Sequence, residues 1–425
     1  MKKPFAISFL MLAVPFALCD QPPVNPAPLP PMGWNSWNWH GKQGINEAIV
    51  RETIDAMVAQ GLRDAGYTYV VVDGGWRDTQ LGPNGELLSH PGKFPHGMKA
   101  LADYAHARGM KFGLHLVPGT HDCGGDPVGG FGHEQVQVRQ LVDWGIDLVK
   151  LDKCRHDASW DEAKLRTVYS KWGDLLAHSG RDIVFSISAY AYRDWYPGLC
   201  RMARTTHDIK CRIHHGAVFD DRKTVEELRA IDERQRRHIA TPQDWPLPFP
   251  FLSVMTIAEL NNQSAAFAGH GYWNDPDMLV TGAQGLSLDE QKTHFALWCV
   301  MTAPLMLGDD PRAMTPEEKE IVLNPEAIAI DQDPTEQGRR VRQDGDTEVW
   351  VKRLEGGRVA VVLLNRSATA TLPVTLRLDG GEFAGKWQVR DVFARQDLGS
   401  VDSTITRSTP PHSCVFLLLS RSSAP

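Results

Sequence analysis

The sequence predicts a (β/α)8 barrel followed by a C-terminal antiparallel β-sandwich. From residue 45 to about 330, apolar strand-like segments alternate with helix-like segments, which is typical of a parallel sheet covered on both faces. Six or more such units in series favour a closed barrel over an open, doubly wound sheet, and no GxGxxG or P-loop pattern follows a strand. After about residue 340, short alternating strands separated by Gly, Asp and Ser turns predict the sandwich.

The individual elements follow from helix caps and apolar runs. Asn46 precedes an amphipathic helix, and two capping boxes, Ser159 with Glu162 and Ser287 with Glu290, predict the starts of later helices. Further helices are predicted around 98–108 and 134–144, barrel strands at 67–73, 111–117, 146–152, 182–188 and 304–308, and sandwich strands at 347–354, 358–365, 370–378, 387–393 and 414–420.

The first residues predict a targeting segment. Lys2 and Lys3 form a basic start, and the apolar run from Phe5 to Leu18 is shorter than the roughly 20 residues that a membrane span needs. We therefore expect no membrane span and an exported protein, periplasmic or secreted. Lipid anchoring at Cys19 is disfavoured by the bulky residue before it. The predicted organisation is 1–19 signal peptide, 20–30 Pro-rich lead-in, 31–338 (β/α)8 barrel and 339–425 sandwich.

Composition excludes some classes of function. Lys+Arg 45 against Asp+Glu 52 gives a net charge of −7, which lacks the basic footprint of a nucleic-acid-binding protein. The seven cysteines show no CxxC spacing, so they predict neither a zinc site nor a redox motif. Cys299 and Cys414 lie in apolar segments and are expected to be buried free thiols.

Reactive groups of a barrel lie at the carboxyl ends of its strands. A single Asp there is more often a helix cap, but several Asp residues beside tryptophans are typical of glycoside cleavage, which uses one carboxylate as acid and one as base or nucleophile. The residues at these ends are Asp73, His115, Asp152, Ser188, Asp208 and Asp277, with Trp34, Trp37, Trp76 and Trp273 as candidate sugar walls, whereas Trp144 and Trp298 lie on helices and are expected to pack.

Lys150 and Asp152 are two residues apart on a strand and therefore share the inner face of the barrel. A nearby ammonium group favours the ionised carboxylate that a nucleophile must be. A buried ion pair with a purely structural role explains the same pattern equally well.

The chain resembles glycoside hydrolase family 27, which contains α-galactosidases and α-N-acetylgalactosaminidases. The similar segments occur in the family's order and extend from Pro30 through the terminal sandwich. The most specific are PPMGWNSW (30–37), VVDGGW (71–76), KFPHGMKALADYAHARGMKFGLH (93–115), WGIDLVKLDKC (144–154), ARTTHDI (203–209) and YWNDPDML (272–279).

This resemblance implies an exo-acting, retaining glycosidase that needs no cofactor or metal. Asp152 would be the nucleophile and Asp208 the acid/base. The resemblance further implies that Lys150, Arg204 and Asp277 contact sugar hydroxyls, that Trp37 forms an apolar wall, that Asp73 binds the outer hydroxyls, and that Cys123 pairs with Cys154.

Several residues depart from the family pattern. Gly74 replaces a second acid, which weakens the expected selection of galactose over glucose, and Asp122 is a candidate substitute whose commoner role is to form a turn. His115 stands where an aromatic residue is expected; it is either a hydrogen-bond donor to the sugar or a packed side chain. Ser188 and Ala191 are small, as in N-acetylgalactosaminidases, unless Tyr190 or Tyr192 fills the space.

The leading interpretation is an α-galactosidase acting on an oligosaccharide or glycoconjugate with a terminal α-linked sugar. The alternatives are an α-N-acetylgalactosaminidase, a β-L-arabinopyranosidase or another α-glycosidase of the family, and an inactive sugar-binding relative. The long stretch 210–250 is expected to form a rim on the aglycone side. Proximity in sequence also makes Cys200 and Cys211 a candidate pair.

Overall fold

The computed structural model describes residues 27–153, 160–237, 251–269, 271–380 and 383–421. Within these ranges a barrel of parallel strands precedes an antiparallel domain, which confirms the predicted fold class. The barrel strands are β1 Met32–Asn35, β2 Tyr69–Val72, β3 Lys111–Leu116, β4 Leu148–Asp152, β5 Val184–Ser188, β6 Met202–Arg204, β7 Trp273–Asp275 and β8 Leu305–Leu307.

The barrel closes through a single residue rather than a full strand pair. The sheet order is β7-β6-β5-β4-β3-β2-β1-β8, and neighbours are parallel. Beyond β7, Leu279 forms a parallel bridge with Leu307. Its N–H donates to Met306 at 2.8 Å, and its carbonyl accepts from Gly308 at 3.0 Å. These two hydrogen bonds close the seam beside the end of β7.

Helices cover the outside of the barrel, and their caps largely follow the sequence. Asn46 accepts from the Ile49 N–H at 3.0 Å, and Ser287 with Glu290 forms the predicted capping box. The earlier box is wrong because Asp161 is the cap, and Ser159 lies outside the described residues. The helices are α1 Trp37–Gly44, α2 Glu47–Ala59, α3 Gly97–His106, α4 Glu134–Asp143, α5 Glu162–Ala177, α6 Val225–Arg237, α7 Val254–Asn262, α8 Leu288–Val300, α9 Pro316–Val322 and α10 Pro325–Asp331.

The sandwich combines a six-stranded and a two-stranded antiparallel sheet, in the orders β14-β13-β16-β11-β10-β9 and β12-β15. A cluster of buried Val, Leu and Ile side chains fills the space between them. Three of these strands (β9, β14 and β15) are mostly exposed and polar, so the sequence did not predict them. The strands are β9 Arg339–Asp344, β10 Thr347–Arg353, β11 Val359–Asn365, β12 Leu372–Arg377, β13 Trp387–Asp391, β14 Gln396–Val401, β15 Thr404–Thr409 and β16 Cys414–Arg421.

A buried ionic network joins the two domains. Arg366 of the sandwich donates to Asp220 through Nε and Nη2, both at 2.9 Å. Its Nη1 donates to Glu259 of α7 at 2.8 Å and to Glu348 of β10 at 3.0 Å. Arg340 of β9 contacts the same two glutamates. Because Arg366 and Glu348 are almost completely buried, each charge depends on its partners.

Replacing Arg366 by Met should therefore destabilise the protein strongly, because buried carboxylates would lose their cation. Breaking such a pair by removing one partner typically costs about 3–5 kcal/mol. Urea denaturation measures the change in the free energy of unfolding. The control is Arg377→Met, which removes an exposed pair with Asp379 and should leave the free energy of unfolding nearly unchanged, because solvent screens such a pair. Equal effects of the two variants would contradict the role assigned to the network.

A second buried group makes stability depend on pH. His294 of α8 is fully buried, and its Nε2 accepts from the Val280 N–H at 3.1 Å. Burial lowers the pKa of His294 from 6.5 to about 3. Unfolding restores the ordinary pKa, so below about pH 6.5 the unfolded chain binds a proton that the native state excludes. His294 thus contributes stability that is lost as the pH falls from 6.5 towards 3.

Wild type should lose about 1.4 kcal/mol of unfolding free energy per pH unit below pH 6.5 through this group. The glutamine of His294→Gln cannot take up a proton, so the free energy of unfolding of this variant should fall less steeply as the pH is lowered. The difference in unfolding free energy between the variant and wild type should therefore become smaller at low pH. Urea denaturation at pH 7.5, 6.5, 5.5 and 4.5 tests this prediction. The exposed His178→Gln should keep the wild-type slope, and an unchanged slope for His294→Gln would refute it.

Candidate active site

The carboxyl ends of the barrel strands bring the predicted polar residues together. Asp73 follows β2, His115 lies on β3, Lys150 and Asp152 on β4, and Ser188 ends β5. Arg204 ends β6, whereas Asp208 and Asp277 lie in the loops after β6 and β7. Their side chains form three connected groups.

The first group is an ion pair inside the barrel mouth. Asp73 Oδ2 accepts from Lys150 Nζ at 2.8 Å and from Asn35 Nδ2 at 2.9 Å. Burial acts to raise the pKa of Asp73, but the Lys150 ammonium outweighs it and holds this pKa well below its usual range. Burial likewise acts to lower the pKa of Lys150, and the Asp73 and Asp152 carboxylates reverse this to a net increase. Lys150 therefore forms a hydrogen-bonded ion pair with Asp73, whereas its interaction with Asp152 is electrostatic and acts over a longer distance.

The second group holds Asp152, which is almost completely buried. Its Oδ2 accepts from Ser188 Oγ at 3.1 Å, and its Oδ1 accepts from the Tyr190 hydroxyl. His115 Nε2 lies 3.7 Å from Asp152 Oδ2 and 3.9 Å from Asp73 Oδ1, so the imidazole stands between two carboxylates. The sequence offered Tyr190 only as a filler of space; its contact with Asp152 depends on a backbone conformation that sequence patterns do not show.

The third group is built around Arg204, which is 2% exposed. Its Nη1 lies 3.2 Å from Asp208 Oδ1, and its Nη2 lies 2.9 Å from Asp277 Oδ2. Burial, reinforced by Asp208 and opposed by Arg204, raises the pKa of Asp277 to about 7. Burial also acts to raise the pKa of Asp208, but His207 and Arg204 outweigh it and lower this pKa. Within this group, Asp277 therefore takes up a proton more readily than Asp208 does.

Only one of the four tryptophans predicted as sugar walls remains at the surface of the site. Trp37 is half-buried, and its ring lies 3.2 Å from where a Cβ on Gly74 would stand. A side chain at position 74 would therefore press on the Trp37 ring. The wall prediction is wrong for the others because they are fully buried and their indole N–H groups donate to carbonyls: Trp34 to Asp309, Trp76 to His115, and Trp273 to Ala27. Trp298 and, in large part, Trp144 pack as expected.

Asp122 has the turn-forming role rather than that of a free substitute acid. Its Oδ1 accepts from the Asp126 N–H at 3.0 Å, and its Oδ2 lies 3.4 Å from Lys42 Nζ. Burial acts to raise the pKa of Asp122, but Arg77 and Lys42 lower it. The carboxylate is thus already neutralised by cations of the same rim.

The cysteines only partly follow the predictions. Cys123 is disulfide-bonded, but Cys154 lies outside the described residues, so their pairing stays a prediction. His115, Cys123 and Asp152 have the spacing of a metal-ligand set, but a disulfide sulfur offers no thiolate. The proposed pair of Cys200 and Cys211 is wrong, since both are buried free thiols with local contacts to Tyr196 and His214. Cys299 is a buried free thiol as expected, and Cys414 is free but only partly buried.

The start of the 210–250 stretch meets residues 251 and 252, which directly follow this stretch, beside Asp208. The Leu252 N–H donates to the Asp208 carbonyl at 2.9 Å, and the Lys210 N–H donates to the Leu252 carbonyl at 2.8 Å. The neighbouring Phe251 is 37% exposed and stacks on His214 with ring centres 3.4 Å apart. Residues 238–250 lie outside the described residues, so the rim as a whole stays a prediction.

Paired buried carboxylates beside an apolar wall, at the strand ends of a barrel, are an arrangement that glycoside hydrolases use. The family model described as "Alpha galactosidase A" matches residues 29–250 and 250–333, and the model of the "Alpha galactosidase C-terminal beta sandwich domain" matches residues 344–419. The chain belongs to this α-galactosidase family, glycoside hydrolase family 27.

Individual relatives agree with the family models. "Alpha-galactosidase 2" of Arabidopsis thaliana is 33% identical over 400 residues, covering 93% of this chain and 90% of the relative. "Alpha-galactosidase A" of Cellvibrio japonicus is 33% identical over 81% of this chain and 78% of its own. The crystal structure of α-galactosidase I from Mortierella vinacea superposes with a TM-score of 0.82 at 27% identity, covering 94% of this chain and 98% of that one.

Proposed function

We propose that the protein is an exo-acting, retaining α-galactosidase that removes a terminal α-linked galactose from an oligosaccharide or glycoconjugate. The observation that carries this proposal is Asp152, held at the end of β4 by hydrogen bonds to both carboxylate oxygens, in the same strand-end site as the Arg204–Asp208 pair. Two carboxylates with separate partners suit two separate roles.

In the first half of the reaction, Asp152 attacks the anomeric carbon while Asp208 gives a proton to the departing oxygen. The C1–O bond breaks, and a glycosyl ester of Asp152 forms. In the second half, Asp208 takes a proton from water, whose oxygen attacks the same carbon and releases Asp152. A sugar seated over Asp208 excludes water from it and so raises its pKa, which favours protonation before the first half.

The remaining groups would hold the sugar. Asp73 and Lys150 offer a fixed acceptor and donor for adjacent hydroxyl groups, and Trp37 offers an apolar face. Ser188 and Ala191 are small, but both are fully buried and Tyr190 lies between them in sequence with its hydroxyl on Asp152. This arrangement supports a sugar that carries a hydroxyl group, rather than an acetamido group, on the carbon beside the nucleophile.

Asp152→Asn should lower turnover of p-nitrophenyl α-galactoside on the order of 10⁴-fold or more, because an amide cannot form the ester. Galactose should still bind, which isothermal titration calorimetry measures. Asp143→Asn removes an exposed carboxylate of α4 and should leave turnover unchanged. Unchanged hydrolysis by Asp152→Asn would overturn the assignment.

The sugar itself is tested with p-nitrophenyl α-galactoside, α-N-acetylgalactosaminide, β-L-arabinopyranoside and α-glucoside. The α-galactoside should give the highest kcat/KM in this panel. Activity only on the α-glucoside would contradict a galactose-specific site.

Phe251 is the candidate platform on which the sugar of the leaving group would stack. The next residue, Leu252, is hydrogen-bonded to the backbone of Asp208, and His214 covers one face of the Phe251 ring. Stacking of a sugar on an aromatic ring of this kind contributes about 1 kcal/mol, so Phe251→Ala should lower kcat/KM for melibiose about 5- to 10-fold. Methyl α-galactoside has no second ring and should be hydrolysed as by wild type.

Phe267→Ala is the matched control. Phe267 is also exposed and stacked, on Tyr192, but it belongs to the segment before β7 and not to the segment that is hydrogen-bonded to Asp208. It should leave both substrates unaffected. An equal loss on melibiose and methyl α-galactoside in Phe251→Ala would exclude a leaving-group platform.

We also propose that the protein is exported with residues 1–19 as its signal peptide. The disulfide at Cys123 supports this proposal, since oxidising compartments outside the cytosol maintain such bonds. No helix in the described ranges is long and apolar enough to cross a membrane.

A further inference from the structure

Tyr190 makes a contact with Asp152 that neither the fold nor the catalytic scheme requires. It lies in the loop 189–201, which connects β5 to β6 without a helix. Its hydroxyl donates to Asp152 Oδ1, while Ser188 donates to the other oxygen. Each carboxylate oxygen therefore has its own hydroxyl donor.

The loop is built to hold Tyr190 in an uncommon conformation. Its φ angle is 67°, in the left-handed region that a bulky side chain seldom occupies unless the surroundings hold it there. Arg193 Nη1 donates to the carbonyls of Ala189 and Ala191, both at 3.0 Å, and so fixes the backbone on either side. The tyrosine ring packs on His207 with centroids 4.8 Å apart, directly beside Asp208.

We propose that Tyr190 is a positioning residue that stabilises the Asp152 carboxylate as the leaving group of the second half-reaction. This inference rests on the proposed function, because it concerns the hydrolysis of the glycosyl–Asp152 ester. When water attacks the anomeric carbon, its proton passes to Asp208, and the electron pair of the C1–O bond returns to Asp152. The Tyr190 hydroxyl donates a hydrogen bond to the carboxylate that is regenerated.

The hydroxyl keeps its own proton throughout. Burial, followed by the nearby Asp152 and Asp208 charges, raises the pKa of Tyr190 well above its ordinary value, so the phenol remains a donor. The same hydrogen bond makes the free carboxylate a slightly weaker nucleophile. Loss of the hydrogen bond should consequently slow the second half-reaction and leave the first as fast as in wild type or slightly faster.

Tyr190→Phe removes the hydroxyl and retains the ring on His207. With p-nitrophenyl α-galactoside, kcat should fall about 10- to 100-fold, the range expected for losing a hydrogen bond to a charged group. The value of kcat/KM, which reports the first half-reaction, should stay at the wild-type value or rise slightly. Stopped-flow measurement should show a burst of about one equivalent of nitrophenol, and mass spectrometry should show the glycosyl–enzyme.

The control is Tyr272→Phe, a buried tyrosine whose hydroxyl has no hydrogen-bond partner within the described structure. It should behave as wild type. A second variant carries 3-fluorotyrosine in place of Tyr190, which is a stronger donor and should lower kcat less than Phe does. The proposal is overturned if kcat and kcat/KM of Tyr190→Phe fall in equal proportion without a burst, or if neither changes. In either case the proposed function is tested separately by Asp152→Asn: if that variant is inactive, the proposed function stands although the role of Tyr190 does not.

Discussion

The ion pair of Lys150 with Asp73 is the interaction on which the site depends. Acidic side chains converge at one end of the barrel, and each buried carboxylate there needs a cation or a donor to remain charged. Lys150 pairs directly with Asp73 and attracts Asp152 electrostatically, while Arg204 pairs with both Asp208 and Asp277. Two cations thus allow the strand ends to hold their acids in a single pocket.

The separate environments of the acids follow from this distribution of cations. Asp73 has a full ion pair and is kept ionised, whereas Asp277 shares Arg204 and has a raised pKa. Asp152 accepts one hydroxyl donor on each carboxylate oxygen, and these two hydrogen bonds fix its orientation. A carboxylate oriented in this way is placed for the nucleophilic role that we propose for it.

The sequence predicted the barrel, the sandwich and the strand-end acids because periodicity and position along a strand determine them. It did not predict the environment of each side chain. Trp34 and Trp76 occur beside acids in the sequence but turn outward into the layer between barrel and helices, since successive strand and loop residues need not share a face. Tyr190 reaches Asp152 only because of its left-handed backbone, and Cys200 with Cys211 are close in sequence without meeting in space.

The seam of the barrel, where Leu279 joins the end of β7 to β8, limits which residues of the site can be substituted. The loop after β7 carries Asp277, whose carboxylate binds Arg204 and the Ile209 N–H, and two residues later Leu279 closes the sheet onto β8. Recognition and closure are therefore built into one short segment that tolerates little redesign. Gly74 and the loop of Tyr190 lie away from the seam. A substitution at either place can change contacts in the site without opening the sheet, whereas a substitution between Asp277 and Leu279 puts both at risk.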